Sequence, residues 1–182
     1  MIKDFDLLQR ANNDYTTIDL EHAEELAYRE LIDSIRYIPL GDECGVMGNI
    51  ANIITYKGRF YIQEEQFDRV FIYDDTGRCL KKIDNKGRGP GEYLRIESID
   101  INTEKEELML VDGMSDTLFF YDLDGNFKSI HSIRYFQTEN TLCLRDSVFL
   151  HISAPSQNFG NEGLYGYALV LSKGNENFLK GY

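Results

Sequence analysis

The chain has 182 residues, 42% of them hydrophobic and 13% aromatic, enough apolar material for one sizeable core and too much for a disordered segment. Its 31 acidic and 19 basic residues give a net charge of −12 with no Lys/Arg cluster to offset it, which argues against nucleic acid as a partner. No apolar run is long enough for a transmembrane segment or for the central region of a signal peptide, so the compartment stays open: cell envelope or periplasm if an export signal was removed, cytoplasm otherwise.

In chain order, the first element is HAEELAYRELIDSI (His22 to Ile35), where Ala23, Leu26, Ala27 and Leu31 recur at helical spacing. It predicts a short helix that caps the core. RYIPL (Arg36 to Leu40) reads as a strand ending near Pro39. This gives an N-terminal segment over residues 1–34 and a body over residues 35–182.

The body carries an internal repeat. Phe60–Ile83 (FYIQEEQFDRVFIYDDTGRCLKKI) aligns without a gap over Leu108–His131 (LMLVDGMSDTLFFYDLDGNFKSIH) at an offset of 48 residues. Asp68, Phe71, Tyr73, Asp74 and Gly77 recur as Asp116, Phe119, Tyr121, Asp122 and Gly125. Each copy reads as a strand, a turn, a second strand ending in Tyr-Asp, a turn closed by glycine, and a third strand. In those closing turns an Asp can bond the backbone ahead of it while Gly77 or Gly125 supplies a positive φ. A further strand precedes each copy, Asn49 to Tyr56 and Ile96 to Asn102. Four short strands in a unit of about 45 residues is the arithmetic of a propeller blade. A fainter third copy places Ser147 to Ser153 and Gly166 to Asn175 as its second and third strands, with FLKGY at the position of its outer strand.

Between the first two copies lies NKGRGPGEY, with Gly87, Gly89 and Gly91 around Arg88 and Pro90. A phosphate cradle would need a helix after the glycines and free N–H groups within them; the following residues instead have strand character, and Pro90 lacks an N–H. The loop therefore reads as the crossing from the outermost strand of one blade to the innermost of the next, with Arg88 and Glu92 placed to pair.

The strings KGRGPGEYLRI, FIYDDTGRCLKKI and IDSIRYIPL together resemble the bacterial six-bladed β-propeller family related to NHL-repeat and TolB-like propellers, from about Tyr15 onward. The resemblance implies an all-β fold of four-stranded antiparallel blades, with an early strand, here Tyr15 to Leu20, closing the ring. The family has no defined catalytic residues to carry over, and many of its members are exported or lipid-anchored. Six blades of about 45 residues need roughly 270. Here 148 residues follow the first 34, enough for about three. The expectation is a fragment of a longer ring, or a half-ring completed by pairing with itself as a homodimer or with a second polypeptide.

Candidate chemistry is sparse. Cys44, Cys79 and Cys143 are few and widely spaced, which predicts free, mostly buried thiols. His131 and His151 fall in predicted strands and read as hydrogen-bonded sheet histidines. Asp112, Asp116, Asp122 and Asp124 lack a calcium-loop pattern and read as turn residues. Ser153, Ser156 and Ser172 lack a nucleophile elbow. No catalytic residue, metal ligand or cofactor is therefore assigned. Strand aromatics such as Phe71, Tyr73, Phe119 and Tyr121 read as packing between blades. The loop residues Arg88, Glu92, Tyr93 and Phe67 are the candidate ligand contacts. The expectation is a non-catalytic module that binds a protein, peptide or glycan; the alternative is a metal-dependent lactonase- or lyase-like propeller enzyme.

Overall fold

A computed structural model describes residues 32–133, 140–145, 148–152, 169–173 and 177–181. The strand expected at 15–20 and most of the helix expected at 22–35 lie outside these. Contacts divide the chain into two units, Met1–Tyr37 and Ile38–Tyr182. The three sheets all belong to the second.

The first sheet runs β1 (Ile50–Tyr56), β2 (Arg59–Glu64), β3 (Arg69–Asp74), β4 (Cys79–Ile83) in that order. The second repeats it with β5 (Ser98–Asn102), β6 (Glu107–Asp112), β7 (Thr117–Asp122) and β8 (Phe127–Ser132), and the third with β9 (Asn140–Arg145), β10 (Val148–Ile152), β11 (Leu169–Lys173) and β12 (Asn177–Gly181). Every pairing is antiparallel between neighbours in sequence. The fold is all-β, built of four-stranded propeller blades. Between sheets the first strands neighbour one another, β1 with β5 and β5 with β9, which makes them the innermost strands of the three blades.

The repeat extends to backbone detail. The ladder of the outer two strands slips between Ile72 and Tyr73 in the first blade and between Phe120 and Tyr121 in the second, positions 48 residues apart. Asp68 and Asp116 both adopt positive φ, 55° and 49°. In the outer hairpins Asp74 accepts from Thr76 N and Arg78 N, and Asp122 from Asp124 N and Asn126 N, at 2.8 to 3.1 Å. Gly77 and Gly125 take φ of 88° and 80°, so each turn has the Asp and the glycine it requires.

Strand alternation decides which face meets which blade. Tyr61, Val70 and Ile72 point to the second blade and pack with Ile99, Ile101, Leu108, Leu110, Phe119 and Tyr121. One position out of phase, Met109, Val111, Leu118 and Phe120 point to the third blade and meet Phe149 and Cys143. The opposite face of the first blade, formed by Ile62, Phe71, Tyr73 and Cys79, is covered by a strap, Ile38–Met47, through Cys44 and Met47.

This strap corrects two expectations. Arg36–Leu40 forms no strand, because no neighbour supplies a ladder; what holds the segment is Gly41 N donating to Gly77 O at 2.8 Å and Tyr73 Oη donating to Gly41 O at 3.3 Å. Cys44 and Cys79 are not free thiols but a disulfide, with Cα atoms 5.9 Å apart. Folding the strap over β4 brings together two cysteines 35 residues apart, and Glu43 accepts from Cys79 N at 3.2 Å beside them. Cys143 is partly buried and takes no part in the disulfide.

Candidate functional site

The two ends of the blades differ. Short hairpins close β1–β2, β3–β4, β5–β6 and β7–β8 at one end; at the other the long connection 84–97 crosses from the first blade to the second beside the 65–68 turn. The crossing is followed by β5 and not by a helix, as a hinge between sheets requires.

The glycines of this loop have a specific task. A Cβ on Gly87 would run into the Glu92 carboxylate, and one on Gly89 would stand 3.1 Å from its Oε2. The exposed carboxylate of Glu92 turns back on the loop and accepts from Gly89 N at 2.7 Å, the engagement found in place of the expected pairing with Arg88. Gly91 adds a φ of 79°. The loop thus bonds a carboxylate of its own sequence.

Tyr93 ends the loop as a wedge. It is fully buried, with Phe119 edge-on at 6.1 Å. Its hydroxyl donates to Asp68 O at 2.8 Å and accepts from Asn85 N at 3.1 Å. Burial pushes its pKa upward. Tyr93 therefore offers no surface to a ligand. Phe67 does: it is exposed on the neighbouring turn, with the Arg69 guanidinium 4.5 Å from its ring centre.

Beside that turn lies a cleft of about 390 Å³ between the first and second blades, lined by Asn49, Gln63, Gln66, Asp68, Arg95 and Glu97 among others. Its walls are held from below. Glu64, fully buried, accepts from Gln66 N, Phe67 N and Arg69 Nε at 3.0 to 3.3 Å. Asp68 accepts from Ile96 N at 3.2 Å and pairs with Lys86. Gln63 donates to the carbonyls of Ile96 at 3.0 Å and Glu97 at 3.3 Å. At the rim, Arg95 and Glu97 pair at 3.3 Å with the arginine largely exposed. Exposed pairs of this kind contribute only about 0–1 kcal/mol, so both partners are available to be re-partnered.

The sequence reading named Phe67 among the loop residues that could contact a ligand but missed Gln63, Gln66, Arg95 and Glu97. One signal was present: the repeat lays Gln63 over Val111, a polar residue at a position that is fully buried and apolar in the next blade.

The other polar groups are committed to structure. His151 is fully buried, with Nδ1 2.9 Å from Thr141 Oγ1 and Nε2 2.7 Å from Ser172 Oγ, and burial pushes its pKa down to about 3. His131 packs beside the rings of Phe120 and Phe149, at 6.0 and 6.2 Å. Asp112 accepts from Met114 N, Ser115 N and Leu94 N at 2.7 to 3.2 Å, a turn residue as expected. At the hairpin end, a second cleft of about 450 Å³ carries the ion pairs Lys57–Glu106 and Arg59–Asp124. Among the described residues no group of three His, Cys, Asp or Glu side chains is placed to hold a metal ion, and no helix is long and apolar enough to cross a membrane.

Comparison with known proteins agrees with this architecture. The profile of a family described as Domain of unknown function (DUF4934) matches residues 15–180. Among solved structures, a provisionally assigned exported protein of Bacteroides fragilis superposes with a TM-score of 0.71 at 19% identity, over 82% of this chain and 42% of its own. The WD40 repeats of RRP9 superpose with a TM-score of 0.51 at 10% identity, over 72% of this chain and 38% of theirs. At these identities the likeness is one of fold, and it is to β-propellers. The chain spans less than half the length of either structure. No curated protein matches.

Proposed function

We propose that this chain, which belongs to the family described as Domain of unknown function (DUF4934), is a non-catalytic binding module that takes a glycan or a polar peptide at the cleft between its first two blades. The observation that carries this reading is the wall of that cleft. Amides from Asn49 and Gln66, the exposed Arg95, the half-buried Glu97 and the nearby face of Phe67 are set on strand ends and braced turns, with Gln63 bracing the crossing from below. Neutral amides and a loosely paired arginine suit hydroxyl and peptide groups, and an exposed ring suits a sugar face or an apolar side chain. Arg88 and Glu92 stand on the crossing loop at the same end as secondary contacts, and Tyr93 supports them from the core.

Two finer readings accompany this one. The blades belong to a larger ring, six-bladed in the manner of the NHL-repeat and TolB-like propellers that the sequence resembles; that the ring is larger than three blades is supported by their covering less than half of the Bacteroides fragilis chain. The protein works in an oxidising compartment such as the cell envelope, supported by the Cys44–Cys79 disulfide.

The test is a screen of immobilised oligosaccharides and peptides, followed by calorimetry on any hit. Arg95→Ala and Gln66→Ala are expected to weaken a true ligand about tenfold or more each. Binding that both variants leave unchanged would remove the cleft from consideration.

A further inference from the structure

Gln63 stands at the floor of the cleft between the first two blades and is only 3% exposed. Its Nε2 donates to the carbonyls of Ile96 and Glu97. Because both partners are carbonyls, the nitrogen is the end of the amide that faces the crossing, and the oxygen is the other end. Among the described residues Oε1 accepts no hydrogen bond, yet it is not sealed from solvent, and the solvent space that Gln63 borders is the cleft. The floor of the cleft thus holds one fixed acceptor without a donor. A ligand that covers it must bring that donor or leave a buried polar atom stranded.

The charges of the wall decide what kind of donor suits it. Asp68 pairs with Lys86 and Glu97 with Arg95, which leaves Glu65 as the lining carboxylate with no ion pair among the described residues. Glu65 is exposed and directly follows β2, its N donating to Asn49 O at 3.0 Å, so it is anchored two residues along the same wall as Gln63. A neutral acceptor at depth and an unpaired carboxylate nearer the rim, in a chain of net charge −12, favour a cation.

We propose that the cleft takes a lysine side chain of an extended peptide: the ammonium donates to Gln63 Oε1 and pairs with Glu65, while Arg95 turns from Glu97 to a main-chain carbonyl of the same peptide. The proposal rests on the reading of this cleft as the binding site and names the class of ligand that fills it. Lysine fits in shape as well as in charge. Its ammonium is a compact charge with three donors on a thin four-carbon stem, which suits an acceptor that is almost covered by its own wall. A guanidinium is a planar fork and an amino sugar holds its nitrogen on a ring, so both are broader at the tip.

The experiment is an array of short peptides with a central lysine, probed with the labelled full chain and followed by calorimetry on the strongest binder. Replacing that lysine by norleucine or acetyl-lysine is expected to weaken binding about tenfold or more. Glu65→Gln, a change on an exposed side chain, is expected to weaken the lysine peptide about tenfold and to leave the norleucine peptide unchanged. Gln63→Leu removes the acceptor and should erase the preference for lysine over norleucine; if it fails to fold, Glu65→Gln still decides. Peptides held equally well with lysine or norleucine, or a cleft that binds an oligosaccharide and no lysine peptide, would overturn the lysine assignment; in either case a loss of binding in Arg95→Ala would keep the cleft itself as the site. An array without a binder, or binding that Arg95→Ala and Gln66→Ala both leave unchanged, would overturn the lysine assignment and the cleft together.

Discussion

The hydroxyl of Tyr93 donates to the main-chain carbonyl of Asp68, 2.8 Å away and 25 residues earlier in the chain. Asp68 is held at a φ of 55°, so its carbonyl is turned toward the loop that carries the tyrosine. In the second blade the corresponding carbonyl, of Asp116, accepts directly from Ile133 N at 2.7 Å. The first crossing is thus bridged by a side chain where the second is bridged by backbone. Tyr93→Phe keeps the ring and leaves both Asp68 O and Asn85 N without this partner, at an expected cost of about 1–3 kcal/mol. Tyr93→Ala also empties the wedge and should cost about 3–5 kcal/mol. Urea unfolding measures both: a Phe variant as stable as the wild type would mean that the hydroxyl contributes nothing, and equal losses would mean that the ring adds nothing to it.

The disulfide offers a second test. Closing a loop of 35 residues removes unfolded-state entropy worth about 3–4 kcal/mol in the chain-entropy account. Reduction should lower the melting temperature by many degrees and loosen the strap. Before reduction, thiol alkylation of the unfolded chain should label Cys143 alone; afterwards, all three cysteines. Three labelled cysteines in protein prepared under oxidising conditions would refute the pairing.

Much of the fold was legible because it is written twice. The 48-residue repeat carried strand order, turn chemistry and the two copies of Tyr-Asp, all local features that need no knowledge of the partner strand. What was hidden depends on long-range contact. β9 (Asn140–Arg145) was not anticipated, because NTLCLR reads as a strand only once β10 and the second blade lie against it. The expected strand at Arg36–Leu40 failed for the converse reason, an extended segment with no neighbour to complete a ladder. Tyr93 read as a loop residue and proved to be core, since the loop doubles back on itself through the bridge between Lys86 and Tyr93. Of the site, Phe67 was legible as an exposed turn aromatic; Arg95 and Glu97 became meaningful only when the crossing brought them beside Gln63.

Two glycines with almost the same φ separate backbone strain from packing. Gly91 at 79° would place a Cβ no closer than 3.5 Å to its neighbour, the ring of Phe127. Gly125 at 80° would place one 2.9 Å from both Ile72 Cδ1 and Lys81 Cγ, at the joint between the first two blades. Gly91→Ala should therefore cost the left-handed penalty alone, about 1–2 kcal/mol. Gly125→Ala adds overpacking of about 1–3 kcal/mol. A smaller loss at Gly125 than at Gly91 would contradict the blade joint as described.

The buried histidine predicts a pH dependence with a definite sign. In the unfolded chain His151 takes up a proton near its ordinary pKa of 6.5; in the folded chain burial holds that pKa at about 3. Between those values the unfolded state binds more protons, so stability rises with pH across the window and is fully present above about 6.5. His131, also shifted downward by burial, adds a smaller slope of the same sign. Asp74 belongs to a lower window, because the Thr76 hydroxyl and neighbouring N–H groups hold it at about 2, and its contribution fades only below 3.8. Stability measured from pH 4.5 to 7 therefore isolates the histidines from that carboxylate. His151→Gln keeps side-chain polarity toward Thr141 and Ser172 and removes the titration. It should lower stability at pH 7 and flatten the profile below 6.5. A slope unchanged by the substitution would mean that His151 is not buried in neutral form between the second and third blades.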